Sequence, residues 1–172
     1  MRIGVLCLLL AVCGCRKSQE KAPPAEVEVE GDKVSVRTDE GTITVERSGT
    51  RGRVETKDGG RFETDNKVPE GFPLPIMKGA TVIQGIRSSQ PGQPESLLVN
   101  LQVAESAEVA AAFYEKALAD KGLKTTRTEQ KSSEGTVIAL VSEGDDVRAS
   151  AIANRRSNED KTSVMLSWNA KK

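Results

Sequence analysis

The chain has 172 residues, with 25 basic and 25 acidic side chains and not one histidine. A zero net charge argues against a nucleic-acid binder, which normally carries a basic excess, and one Trp, one Tyr and three Phe are too few for a base-stacking groove. The missing histidine removes the usual general base, the commonest metal ligand and the pH switch near neutrality.

The first segment, "MRIGVLCLLLAVCGC", has one positive charge at Arg2 and then an apolar run from Ile3 to Val12 that ends in small residues. This is the layout of a secretory signal. The run is too short to span a bilayer, which needs ~20 apolar residues. All three cysteines, Cys7, Cys13 and Cys15, lie here, so neither a disulfide framework nor a cysteine site is expected in the rest of the chain.

The ending resembles a bacterial lipoprotein signal peptide. In that family an aliphatic residue stands three places before the target cysteine, and Gly, Ala or Ser stands directly before it. Val12-Cys13-Gly14-Cys15 meets both conditions at Cys15, whereas Cys13 has Val12 beside it. The resemblance implies lipidation at Cys15, with Cys13 as the alternative. It implies a thioether-linked diacylglycerol and an acyl group, such as palmitate, on the new amine, which together anchor a chain stably where a single acyl chain would not. In enterobacteria an Asp after the cysteine retains a lipoprotein in the inner membrane. Arg16 stands there in this chain, which points to the outer membrane with the domain facing the periplasm.

The organisation expected is a signal peptide at 1–14 and a lipidated tether at 15–26, where charge and the Pro23-Pro24 pair favour a semi-extended chain. Residues 27–65 alternate apolar and polar positions in short pieces such as "KVSVRT" and "TITVER", with turn signals such as Asp58-Gly59-Gly60 between them. They predict a small β-meander, with partial disorder as the alternative because the apolar content is thin.

The strip "VPEGFPLPIMKGA", 68–80, holds Pro69, Pro73 and Pro75 among apolar residues. Proline removes a backbone donor and fixes φ, so the strip is neither helix nor central strand. We read 66–79 as a brace that covers the first strand or the sheet edge of the following domain.

Residues 80–172 predict the order ββαββββ. "ATVIQGI" and "SLLVNLQV" read as strands, and "SAEVAAAFYEKALADKG" as a helix capped by Ser106 and ended by Gly122. Val109, Ala110, Phe113, Ala117 and Leu118 form its expected apolar stripe. Four alternating segments follow. The fold class expected is α+β, an antiparallel sheet with one main helix packed on a face, preceded by the small meander. Residues 69–168 also resemble uncharacterised bacterial envelope proteins, in which an FP-x-P-x-GA segment precedes a strand pair and a helix with a V-x-x-F-Y core. Phe72-Pro73, Pro75, Gly79-Ala80 and Val109 to Tyr114 carry that likeness, which implies no activity.

No nucleophile elbow and no phosphate loop occur. The Ser18-to-Lys21 Ser-x-x-Lys match lies in the tether, away from any rigid site. The acidic clusters Glu143, Asp145, Asp146 and Glu159, Asp160 fall where hairpin turns are expected, without calcium-loop spacing. Lys116, Lys121, Lys124 and Arg127 gather near the end of the helix and form a candidate binding patch. The expected function is therefore a lipid-anchored envelope protein that binds or scaffolds without catalysis, with no metal and no cofactor. Its expected partners are the membrane, through the lipid, and an envelope protein or glycan, with no nucleic acid. The alternative is a carboxylate-dependent enzyme acting on envelope glycan.

Overall fold

The computed structural model describes residues 26–46 and 51–171. The expected signal peptide, Cys13, Cys15 and most of the tether lie outside the described residues. In chain order the elements are β1 (Glu26–Glu30), β2 (Lys33–Thr38), β3 (Gly41–Glu46), β4 (Gly52–Thr56), β5 (Arg61–Asp65), β6 (Thr81–Ser89), β7 (Ser96–Val103), α1 (Ala107–Asp120), β8 (Lys124–Ser132), β9 (Gly135–Glu143), β10 (Val147–Arg156) and β11 (Thr162–Ala170).

The strands form one antiparallel sheet in the order β1-β2-β3-β4-β5-β6-β7-β11-β10-β9-β8. The chain climbs strand by strand to β7. Helix α1 then carries it over to the far edge at β8, and it returns hairpin by hairpin until β11 pairs with β7.

This corrects the α+β expectation. The described chain is 57% strand and 10% helix, so the fold is β-rich and α1 is a local cover instead of a layer. Its 14 residues touch β8 to β11, chiefly β10 and β9. The expectation weighed the helix too heavily because a capped, alanine-rich run is a loud sequence signal. The pairing that merges the strands of 26–65 with the rest joins β5 to β6 across a 15-residue proline-rich connection, and local pattern does not carry it.

Helix α1 starts at Ser106, whose Oγ accepts from the Val109 amide at 3.3 Å, and it stops before Gly122 at φ +75°. Its buried side is Ala107, Ala110, Ala111, Tyr114, Ala117 and Leu118. Val109 is 52% exposed and Phe113 is only half-buried, so the expected stripe is rotated toward Tyr114. Ala149, Ala151 and Ala153 of β10 face this side, and small residues on both surfaces permit close packing. Leu101 and Val103 of β7, Ile138 and Leu140 of β9, and Val164 and Leu166 of β11 complete the core.

The strip 68–80 lies over the same side of the sheet. Leu74 is buried in the core, and Val68, Phe72, Ile76 and Met77 pack against it. Gly85 of β6 makes this passage possible, because a Cβ there would stand 1.9 Å from the Lys67 carbonyl oxygen and 2.9 Å from Pro69 Cδ. Arg87 holds the strip from beside, its Nη2 donating to the Glu70 carbonyl at 3.0 Å.

Candidate binding surface

Cross-strand partners lie on the same face of a sheet, so the register assigns every strand residue to a side. Leu97, Val99 and Leu101 point toward α1 and the strip. Across β6 their partners are Arg87, Gly85 and Val82, and the same side continues as Glu63 of β5, Arg53 of β4, Thr44 of β3, Ser35 of β2 and Glu28 of β1. The covered apolar side of β7–β11 therefore becomes a charged side in β1–β5. Ion pairs tile it: Arg61 to Glu55 at 2.8 Å, Arg51 to Asp65 at 2.9 Å and Arg53 to Glu63 at 3.6 Å. Glu55, accepting from Arg61 and Arg53, is held below the usual carboxylate range. Exposed pairs of this kind add little stability, but they suit a surface that faces water.

The other side behaves in the opposite way. Leu98 pairs with Ile86, and the row runs on through Thr64, Gly52, Val45 and Val34 to Val29. The next row holds Ser88, Phe62, Val54, Ile43, Val36 and Val27. In the other direction the Leu98 row continues through Ser167, Ser150, Val141 and Thr126, the neighbouring Asn100 row through Met165, Ile152, Ala139 and Thr128, and the Ser88 row through Ser96 and Asn169 to Arg148, Glu143 and Lys124. Between the end rows, which hold Lys124, Glu143, Arg148 and Arg156, this face carries no charged residue in any of the eleven strands. Eight of the ten exposed large apolar side chains among the described residues are on it, led by Val27 at 60% and Val29 at 57%. Several of its polar groups satisfy one another. Gln84 donates to Thr64 at 3.1 Å and Asn100 donates to Gln84 at 3.3 Å, while the Ser150 and Ser167 hydroxyls meet at 2.8 Å. Helix α1 and the strip both lie on the opposite side.

The basic residues singled out in the sequence do not form one patch. Lys116 pairs with Asp120 at 2.8 Å, and Arg127 pairs with Glu115 at 3.1 Å and Glu129 at 3.0 Å. Lys121 caps the end of α1, and Lys124 falls on the far side of β8 from Arg127. Lys116 and Lys121 instead flank an open groove of about 610 Å³ between α1 and the strip, floored by Phe72, Pro73, Pro75 and Phe113. A second open cleft, about 600 Å³, lies at the β8–β9 turn among Gln130, Ser132, Asn154 and Arg156.

The chain has no match among family models, curated proteins or solved structures. Its reading therefore rests on its own geometry. Among the described residues no helix is long and apolar enough to cross a membrane, and no three acidic or other metal-binding side chains converge.

Asp145, Asp146, Glu159 and Asp160 are exposed in turns, and Glu143 is the exposed last residue of β9. Arg148 beside Glu143 holds its carboxyl below the usual range, the reverse of what a general acid needs. Tyr114 is the one fully buried phenol. Its hydroxyl makes no well-formed hydrogen bond, and burial pushes its pKa up to about 12, against a smaller opposing effect of the Met77 backbone.

The uncharged face was partly visible in the sequence, since every alternating pair in 27–65 was there to read. What escaped was its side, which follows only from the registers that link β5 to β6 and β6 to β7.

Proposed function

We propose that this chain is a bacterial envelope lipoprotein, anchored through lipid on Cys15, that acts as a non-catalytic binding module and uses the uncharged face of its sheet as the contact surface. One observation carries the binding role: an antiparallel sheet whose second face meets only water usually alternates apolar-in with polar or charged-out, and here that second face is mostly apolar in β1–β5 and free of charge between its end rows. An exposed apolar area of this extent marks an interaction surface. The charge is placed on the opposite side of the same strands, so the pattern is not a general shortage of polar residues. The lipid anchor rests on the lipoprotein-like ending at Cys15 and the confinement of all cysteines to the first 15 residues.

The test is cross-linking in intact envelopes, comparing the wild-type chain with Val36→Asp and Ile43→Asp. At least one adduct of the wild type is expected to disappear in both variants while membrane retention stays unchanged. An adduct pattern indifferent to both substitutions would overturn the contact surface. Release of the wild-type chain by high salt alone would overturn the lipid anchor.

A further inference from the structure

We infer that the partner of the uncharged face is a second copy of this chain, docked face to face through β1–β5 in a two-sheet sandwich. This deepens the binding role proposed above and rests on it.

The first argument is charge. In a face-to-face pair related by a twofold axis, each residue of the patch meets the same patch on the other copy. A face carrying one sign of charge would repel itself. The β1–β5 face carries none, while the residues that alternate with it, Glu28, Arg37, Arg53, Glu55, Arg61 and Glu63, point away. Self-docking therefore meets no like-charge penalty.

The second argument is shape and chemistry. Val27, Val36, Ile43, Val54 and Phe62 lie in one cross-strand row, with Val29, Val34 and Val45 in the next. Rows of β-branched side chains are what the inner faces of packed sheets offer one another, at a sheet separation of ~10 Å. A membrane fits less well. Residues 26–65 hold eleven acidic against seven basic side chains, and Glu26, Glu28 and Glu30 line the outer strand, so an anionic lipid surface would repel this edge. A glycan fits less well too, because Thr64, Gln84 and Asn100 already use their polar groups on each other.

The third argument is area. With ~4.8 Å between strands and ~3.4 Å per residue, the face across β1–β5 measures roughly 24 Å by 17 Å, about 400 Å² in projection. Two copies remove about 800 Å² from water, below the ~1,200 Å² of a standard interface and in the range of weak, transient contacts. Such a contact is weak between freely diffusing chains. Two copies held on one membrane have a raised effective concentration, which strengthens a weak contact without any new bond.

The experiment places a benzophenone amino acid at position 43 or at position 44 of the full chain. Two differently tagged copies are co-expressed and irradiated in intact cells. Ile43 and Thr44 are neighbours on β3 that face opposite sides, so the pair reports the face and leaves the fold alone. An adduct carrying both tags is expected from position 43, at least tenfold stronger than from position 44, and lost when Val36→Asp is added. An adduct at 43 with another protein or with lipid alone overturns the second copy and leaves the binding role in place. No adduct of any kind at 43 overturns both. A two-tag adduct of equal strength at 43 and 44 reports random collision and overturns the face-to-face dimer.

Discussion

Leu97 of β7 and Arg87 of β6 stand directly opposite one another on the same side of the sheet, yet Leu97 is 5% exposed while Arg87 pairs with Glu95, Nε to Oε1 at 2.7 Å. The sheet changes its apolar side between these two residues. On the Leu97 side α1 and the proline-rich strip supply a cover. On the Arg87 side the same face turns to ion pairs, and the apolar residues of β1–β5 emerge on the back.

The reversal predicts two distinct classes of substitution. Leu101→Ala and Leu140→Ala remove fully buried side chains and should each cost roughly 2–5 kcal/mol. Ile43→Thr and Val45→Thr, at 44% and 42% exposure, should stay within about 1 kcal/mol when the chain is dilute. Urea denaturation at low protein concentration separates the two classes. A loss at Ile43 equal to that at Leu101 would mean that the β1–β5 face is covered within one chain.

Gly85 predicts how the strip is held. A methyl group there collides with the Lys67 backbone oxygen, which cannot rotate away as a side-chain tip would. Gly85→Ala should cost roughly 1–3 kcal/mol as an overpacked site. It should also lift residues 67–70 enough to open them to protease. Unchanged stability together with unchanged cleavage would show that the strip does not seat on β6.

Most of the elements were legible in the sequence, whereas their assembly was not. Ser106, Gly122 and the alanine-rich repeat mark α1, and alternation marks the strands on both sides of it. These are local signals, set by capping and by period. Which side of β5 continues the core depends on pairing across a long connection, and a one-residue change of register there would exchange every face beyond it. The helix stripe was misread for a smaller reason. Phe113 and Tyr114 are adjacent aromatics in T-shaped contact, ring centres 5.0 Å apart, and the 3.6-residue period does not by itself choose which of two neighbours is central. The basic patch read from sequence proximity was dispersed because Lys124 and Arg127 are three apart on a strand, which puts them on opposite faces.

The lipid anchor proposed at Cys15 predicts a chemical outcome. Cys15→Ala should abolish labelling by a fatty-acid probe and release the chain from membranes, since the remaining contacts of a charged tether are weak. Labelling that persists in Cys15→Ala but vanishes in Cys13→Ala would move the site by two residues.

Tyr114 predicts a pH dependence at the alkaline end. Its phenol is fully buried under α1, and burial raises its pKa from about 10 to about 12. A raised pKa in the folded state means that the neutral form is the one the fold accepts. The associated stability is fully present below pH 10. Above it the unfolded chain ionises and the folded chain does not, so stability falls as pH rises from 10 toward 12. Tyr114→Phe keeps the ring and removes the hydroxyl, which lacks a well-formed partner, so near neutral pH it should be neutral or slightly stabilising. Tyr114→Ala leaves a cavity and should cost roughly 3–5 kcal/mol, more than Phe113→Ala, whose ring is only half-buried. Urea midpoints between pH 8 and 11 test both points. Lysines also titrate in this range, so the informative quantity is the difference between wild type and Tyr114→Phe. The wild type should lose more stability above pH 10 than the variant. Parallel curves would mean that the hydroxyl reaches water or a strong partner in the folded chain.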